Sequence, residues 1–261
     1  MQKHKITTRK INEIFALYHH RKFVHPDPLE FLYDYPELRD RELVGLIASS
    51  LAYGRVAQIL KSVSSILDRM DDSPYDFVLN TSSKNMMSLF ADFRHRFTSG
   101  ESMTHMLLGA RGMILKYGSL YQGFLDGFDK NDETILPALS IFTKKLSKYL
   151  PDDQKHLIAC PDKGSACKRL NLFLRWMVRE DDVDPGGWGE IPPSKLIIPL
   201  DVHMHRIGQS LQLTSRKQAD MRTALEITET FKKISPEDPV RYDFSLTRMG
   251  IRNELDELKR N

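Results

Sequence analysis

The chain has 261 residues, of which 41% are hydrophobic and 28% charged, and its net charge is only +3. That mix belongs to a globular protein with a full core, in one large domain or two small helical ones. It excludes a strongly basic chain, so any nucleic-acid binding must come from local geometry rather than bulk charge.

The start, Met1-Gln-Lys-His-Lys, lacks the apolar run of a secretory leader, and a cytoplasmic location is expected. The longest apolar stretches, such as Leu43 to Ala52 and Leu196 to Leu200, are too short to span a bilayer, so no membrane partner is expected. Cys160 and Cys167 are too few for a disulfide framework and read as reduced thiols.

Apolar residues recur with helical spacing nearly throughout. Ile11, Ile14, Phe15 and Tyr18 make the first stripe, which Pro26 and Pro28 close. Leu43, Leu46, Ile47 and Leu51 make the second, and Ile59, Val63, Ile66 and Leu67 the third, with Asp72-Ser73-Pro74 read as its stop. Met103, Met106, Leu107, Met113 and Ile114 fit a helix interrupted by small residues. A helix around Ile141 to Tyr149 ends at Pro151-Asp152-Asp153. Leu170, Phe173, Leu174 and Met177 predict another helix, and Leu225, Ile227, Thr228 and Phe231 one more before Pro236. The segment Asp181 to Pro193 is the clearest loop, only Leu196 to Ile198 could be extended, and Asn253 to Asn261 reads as a solvated helix end. The reading is all-α, with about nine to eleven helices joined by short connections.

Two segments could carry chemistry. Pro161 to Arg179, PDKGSACKRLNLFLRWMVR, is a Gly-containing turn running into an amphipathic helix. Gly164 permits close backbone approach, Ser165 lies near the helix start, and Lys163, Lys168 and Arg169 surround the turn, a combination suited to seating a phosphate. An ordinary helix start explains the same residues. Pro199 to Gly208, PLDVHMHRIG, places Asp201 after an apolar run where a helix opens, the position of an N-cap acceptor. His203 and His205 are two apart on a helix and cannot readily share an ion, His19-His20 fails likewise, and the cysteines lack a second pair, so no metal is expected.

Taken together, the two segments resemble the signature of the endonuclease III family of DNA glycosylases, in which a Gly-rich hairpin leads to a helix bearing a lysine. Leu200-Asp201-Val202-His203-Met204-His205-Arg206 is similar to the family's stretch opening the next helix, and Glu42 to Arg55 to the helix that ends in a polar loop near the lesion. The usual Leu-Pro-Gly-Val-Gly hairpin is absent, and Lys168 and Asp201 are separated by a longer connection. In that respect, and in Asp238 to Gly250, the chain is similar to the archaeal 8-oxoguanine branch. The four-cysteine iron–sulfur loop is missing, so no cluster and no cofactor is expected. KRLNLFLRWMVR and PLDVHMHRIG also look like a bacterial conserved-domain family of that fold without an established activity.

The resemblance implies a helix-hairpin-helix bundle of two intertwined helical subdomains, roughly residues 35–150 and residues 151–261 with 1–34. It implies a monomeric base-excision enzyme acting on DNA in the bacterial cytoplasm. Lys168 and Asp201 would be its catalytic pair, and Lys163, Gly164, Ser165, Arg169 and Arg55 its DNA contacts. Tyr53 would be a wedge, Trp188 a base-stacking or capping residue, and Asp238 and Asp243 hydrogen-bonding groups for a purine edge. The alternatives are a non-catalytic nucleic-acid-binding module on the same fold and a helical interaction protein that inherits the fold without the function.

Overall fold

The computed structural model of the chain describes residues 8–151 and 157–251. In chain order the helices are α1 (Thr8–Tyr18), α2 (Leu38–Ser50), α3 (Val56–Leu67), α4 (Pro74–Asn80), α5 (Ser83–Leu89) and α6 (Gly100–Tyr117). They continue as α7 (Leu120–Leu125), α8 (Leu136–Leu146), α9 (Lys168–Val178), α10 (Val202–Ser210), α11 (Met221–Lys232) and α12 (Asp243–Ile251). Among the described residues the only sheet is an antiparallel hairpin of β1 (Arg94–His95) and β2 (Thr98–Ser99). None of the described helices is long and apolar enough to cross a membrane. The charged run Asn253–Asn261 and the residues Asp152-Asp153 lie outside the described residues.

Two compact units share the chain. The split unit joins Met1–Val24 to Gly164–Asn261, and the continuous unit is His25–Lys163.

In the continuous unit, serine decides where helices begin. Ser73, Ser82, Ser99 and Ser119 each accept a hydrogen bond from the main-chain N–H three residues on, capping α4, α5, α6 and α7. Asp72-Ser73-Pro74 is therefore a start rather than a stop. The preceding helix, α3, has already ended at Leu67, and Pro74 occupies the first turn of α4, where its missing N–H costs nothing. Helix α2 is buried along most of its length, and α6 buries Met103, Met106, Leu107, Ala110, Met113 and Ile114. Small residues do not interrupt α6 as the sequence suggested. Gly109 lies under the end of α8, where a Cβ would come within 2.2 Å of the Leu146 carbonyl oxygen, so glycine is there for close approach.

In the split unit, α12 packs against α1 and α10. Both Asp201 and Asp220 are N-caps, of α10 and α11. Leu196 to Ile198 pairs with no strand among the described residues; the Ile198 N–H donates to the Thr228 hydroxyl on α11.

Candidate active site

Between the 3-10 turn Pro161–Lys163 and the first residue of α9, the backbone bends sharply twice. Gly164 has φ of +77° and Cys167 φ of +48°. A Cβ on Gly164 would meet no other atom of the chain within 4 Å, so within the chain the glycine answers the left-handed backbone. Cys167 is the costlier case, because a left-handed L-residue loses about 1–2 kcal/mol to Cβ–carbonyl crowding. The turn is fastened on both sides. The Gly164 carbonyl accepts from Met221 N–H, Ser165 bridges Asp220, and the Ser165 hydroxyl accepts from Cys167 N–H. Asn171, buried in α9, donates through Nδ2 to the Ala166 carbonyl at 3.1 Å.

This bend fixes Lys168 as the first residue of α9. At the start of α10, Asp201 accepts through Oδ1 from the N–H groups of His203 (2.9 Å) and Met204 (2.8 Å). That leaves Oδ2 facing the Lys168 Nζ at 3.5 Å, with the side chains 30% and 24% exposed. Residues 33 positions apart in the chain (201 − 168) thus meet as an amine and a carboxylate, each rooted at a helix start and each still reached by solvent. Of the turn's other basic and polar residues, Lys163 is exposed, and Ser165 and Arg169 are half-buried. His205 bonds the Arg216 carbonyl through Nε2 while His203 is exposed, so the two do not converge. Among the described residues no group of three or more His, Cys, Asp or Glu side chains is arranged to hold a metal ion.

Below Lys168 the same stripe of α9 carries Asn171 and Arg175, and Arg179 follows at the helix end; offsets of 3, 7 and 11 residues keep one face. Both arginines are buried and meet four carboxylates. Arg175 binds Asp184 through Nε (3.2 Å) and Nη2 (3.0 Å), and Asp243 through Nη1 (2.5 Å). Arg179 binds Asp238 (2.9 Å), Asp181 (2.6 Å) and the other oxygen of Asp184. Asp181 also accepts from the N–H groups of Val183 and Asp184, and faces the His19 Nε2 at 3.0 Å.

Burial pushes the Asp243 carboxyl up to about 6; the charge and hydrogen bond of Arg175 oppose this, while the charges of Asp201 and Asp184 add to it. Asp181 goes the other way. Its burial acts upward, but the His19 hydrogen bond and the Arg179 charge together hold it well below the usual carboxylate range.

This network corrects several expectations. Asp243 is buried against Arg175 and Asp238 is engaged by Arg179, so Asp243 presents no exposed carboxylate to a purine edge. Trp188 is fully buried, edge-on to Phe173 at 5.2 Å, and cannot stack on an incoming base from there. The loop that holds it folds back on α9 through Gly186 N–H to the Trp176 carbonyl and Trp188 N–H to the Met177 carbonyl. It therefore acts as a core segment, with Val183, Asp184 and Ile191 also buried.

Tyr53 and Arg55 belong to the continuous unit. The Tyr53 hydroxyl is tied to the His95 carbonyl and the Thr98 hydroxyl. Arg55 is exposed at the start of α3. Sequence reading missed Arg175, Arg179, Asp181, Asp184 and His19. The available signal was a pair of arginines, four apart, within the otherwise apolar run LFLRWMVR and followed by Asp181-Asp182-Val183-Asp184.

Comparison with curated proteins and with solved structures finds no match. A family model does match, over residues 27–252, which takes in Lys168, Asp201 and the arginines and aspartates of the buried network. By that match the chain belongs to the family described as "Protein of unknown function (DUF2400)".

Proposed function

We propose that the protein is a DNA N-glycosylase of base-excision repair, with AP-lyase activity through a Schiff base on Lys168. The observation that carries this reading is the 3.5 Å approach of Lys168 Nζ to a carboxylate whose other oxygen is locked by the α10 N-terminus. The resemblance of the Gly164–Lys168 turn and of Leu200–Arg206 to the endonuclease III family supports it, and the helical architecture is compatible with that family's bundle.

In this chemistry the neutral Nζ attacks C1′ of the damaged nucleoside. The C1′–N bond breaks, and the base leaves with the electron pair and a proton. Transfer of the second Nζ proton and opening of the sugar ring at O4′ give the imine. A proton then leaves C2′ and the 3′ phosphate departs. Asp201 would stabilise positive charge developing on the sugar and relay the lysine's proton. The target base must first leave the duplex stack. Lys163, Gly164, Ser165 and Arg169 would hold phosphates around the turn. Such an enzyme would act as a cytoplasmic monomer on chromosomal DNA, and an oxidised purine is the lesion class to test first.

Borohydride trapping on duplexes carrying single lesions tests the reading. A covalent adduct is expected with the native chain and none with Lys168→Gln. Asp201→Asn should slow adduct formation by about 10²–10⁴-fold while preserving the α10 cap, since asparagine caps nearly as well as aspartate. Absence of an adduct with every lesion tried would overturn it. The same 3.5 Å contact also suits a plain ion pair, and under that second reading the protein binds nucleic acid without catalysis. Salt-sensitive binding indifferent to Asp201→Asn, with no adduct, is its signature.

A further inference from the structure

In the continuous unit, the two-residue turn between β1 and β2 presents Phe97 to solvent. At 77% exposure it is the most exposed large apolar side chain among the described residues. A phenyl ring so placed loses the favourable transfer out of water that most such rings gain. Its platform is rigid all the same. His95 and Thr98, on either side of the turn, are fully buried. The His95 ring bonds the Ser62 hydroxyl through Nδ1 and the Tyr53 carbonyl through Nε2, and the Tyr53 hydroxyl bonds both His95 and Thr98. Arg96 takes a φ of +53°, a conformation that glycine or asparagine would adopt more cheaply. Its guanidinium lies 5.9 Å from the Tyr53 ring centre and 5.6 Å from that of Phe97. Gly54 leaves it room, because a Cβ there would stand 3.0 Å from the Arg96 side chain.

The residues flanking the ring in the chain carry charge of one sign, and Arg96 lies against the ring itself. Arg94, Arg96 and Arg55 are all exposed, and neither Tyr53-Gly54-Arg55 nor Arg94 to Phe97 contains a carboxylate. The first turn of α3, beside Arg55, holds no acidic residue either. The acidic residues nearest in sequence are Asp92, which is paired to Arg69, and Glu101 in the first turn of α6. An exposed aromatic ring with an all-arginine rim suits a polyanion that also offers flat π faces, which is the chemistry of an unpaired nucleic-acid strand.

We propose that Phe97 is a base-stacking residue, and that with Arg55, Arg94 and Arg96 it forms a nucleic-acid contact surface on the continuous unit. The ring stacks on an unpaired base while the arginines neutralise neighbouring phosphates. This rests on the proposed function for the class of partner, but not for any chemistry at Lys168.

The test uses the full chain at low salt with a short, unmodified single-stranded oligonucleotide. Phe97→Ala should weaken binding roughly 5- to 100-fold, as loss of one base–aromatic stack does. Loss of Arg96 should reduce the salt slope by about 0.7, as loss of one phosphate contact on a single strand does. Phe97→Trp supplies a direct readout, because the chain's two tryptophans, Trp176 and Trp188, are both buried. Its emission should be quenched by the oligonucleotide with the same midpoint as binding, and not by heparin, a polyanion without bases. Thermal unfolding of Phe97→Ala at the native midpoint confirms that an exposed side chain was removed from an intact fold.

Unchanged affinity in Phe97→Ala, or a Phe97→Trp signal that ignores saturating oligonucleotide, would overturn the proposal. No binding at low salt would do so too, and would leave the ring to a protein partner. Because the oligonucleotide carries no lesion, failure of borohydride trapping leaves a positive result here standing, and the reverse combination sinks only this surface.

Discussion

Helix α2 of the continuous unit and helix α9 of the split unit both bury charged residues, and the groups that receive those charges differ. On α2, Asp40 accepts from Tyr75 N–H and the Ser73 hydroxyl, while Glu42 accepts from the N–H groups of Leu120 and Tyr121. Each carboxylate thereby closes the start of another helix, α4 or α7, where first-turn donors lack helical partners. On α9 the buried groups are guanidinium ions, and their partners are the carboxylates of Asp181, Asp184, Asp238 and Asp243. The first arrangement depends on main-chain N–H groups and one serine hydroxyl. The second depends on ionisable partners, and its stripe runs up to Lys168 and Asp201. Stability and the state of the site are therefore coupled in the split unit in a way that α2 does not reproduce.

The largest expected effect comes from breaking the second arrangement. Arg179→Met removes the donor shared by Asp181, Asp184 and Asp238, leaving buried negative charge facing negative charge. Removing one partner of a buried ion pair costs about 3–5 kcal/mol, and urea unfolding should show that loss as a shifted midpoint. A loss below 1 kcal/mol would mean that the three carboxylates relax toward water once Arg179 is gone.

A smaller effect separates the two regions by pH. Asp243, pushed up to about 6 by burial, binds its proton more tightly folded than unfolded. Wild-type stability from this group is therefore greatest below about pH 4 and declines as pH rises toward 6, by up to about 3 kcal/mol. Asp181, held below the usual range, contributes in the opposite sense and only as pH falls below about 4, so the two windows do not overlap. Asp243→Asn lacks the titration. The stability gap between wild type and variant should be widest near pH 4 and narrow toward neutrality, and unfolding curves across that range read it directly. A gap independent of pH would show that Arg175 keeps Asp243 ionised throughout.

How much of this was legible in the sequence differs between the same two regions. The apolar stripes of α1, α2, α3, α6, α9 and α11 were readable because burial on one face leaves a period near 3.6. Short helices were not: α4, α5 and α7 span six or seven residues, too few to show a period, and their serine caps sit next to proline or polar residues that also read as turns. The Lys168–Asp201 approach was anticipated through the resemblance to the endonuclease III family, because each segment alone reads as an ordinary helix start. The carboxylates that hold α9 were not, because Asp184, Asp238 and Asp243 look like loop and capping residues until the fold brings them to Arg175 and Arg179. Phe97 was overlooked for a related reason. Nothing local marks an aromatic residue in Arg94-His-Arg-Phe97 as exposed rather than buried.

The smallest effect falls on α2 and sharpens the contrast from its other side. Glu42 is buried, and its two oxygens accept from adjacent N–H groups at 2.9 and 3.2 Å. Glu42→Gln keeps the shape and one acceptor but turns an amide N–H₂ toward a donor. Leaving one buried donor poorly satisfied costs about 1–3 kcal/mol. Carbonyl placement toward Leu120 N–H, the shorter bond, keeps the expected loss at the lower end. If the main-chain N–H groups are the relevant partners, Glu42→Ala, which leaves both of them without an acceptor, should lose more in urea unfolding than Glu42→Gln. Equal losses in the two variants would mean that the α7 donors do not depend on this side chain, and the distinction between the two helices would fail.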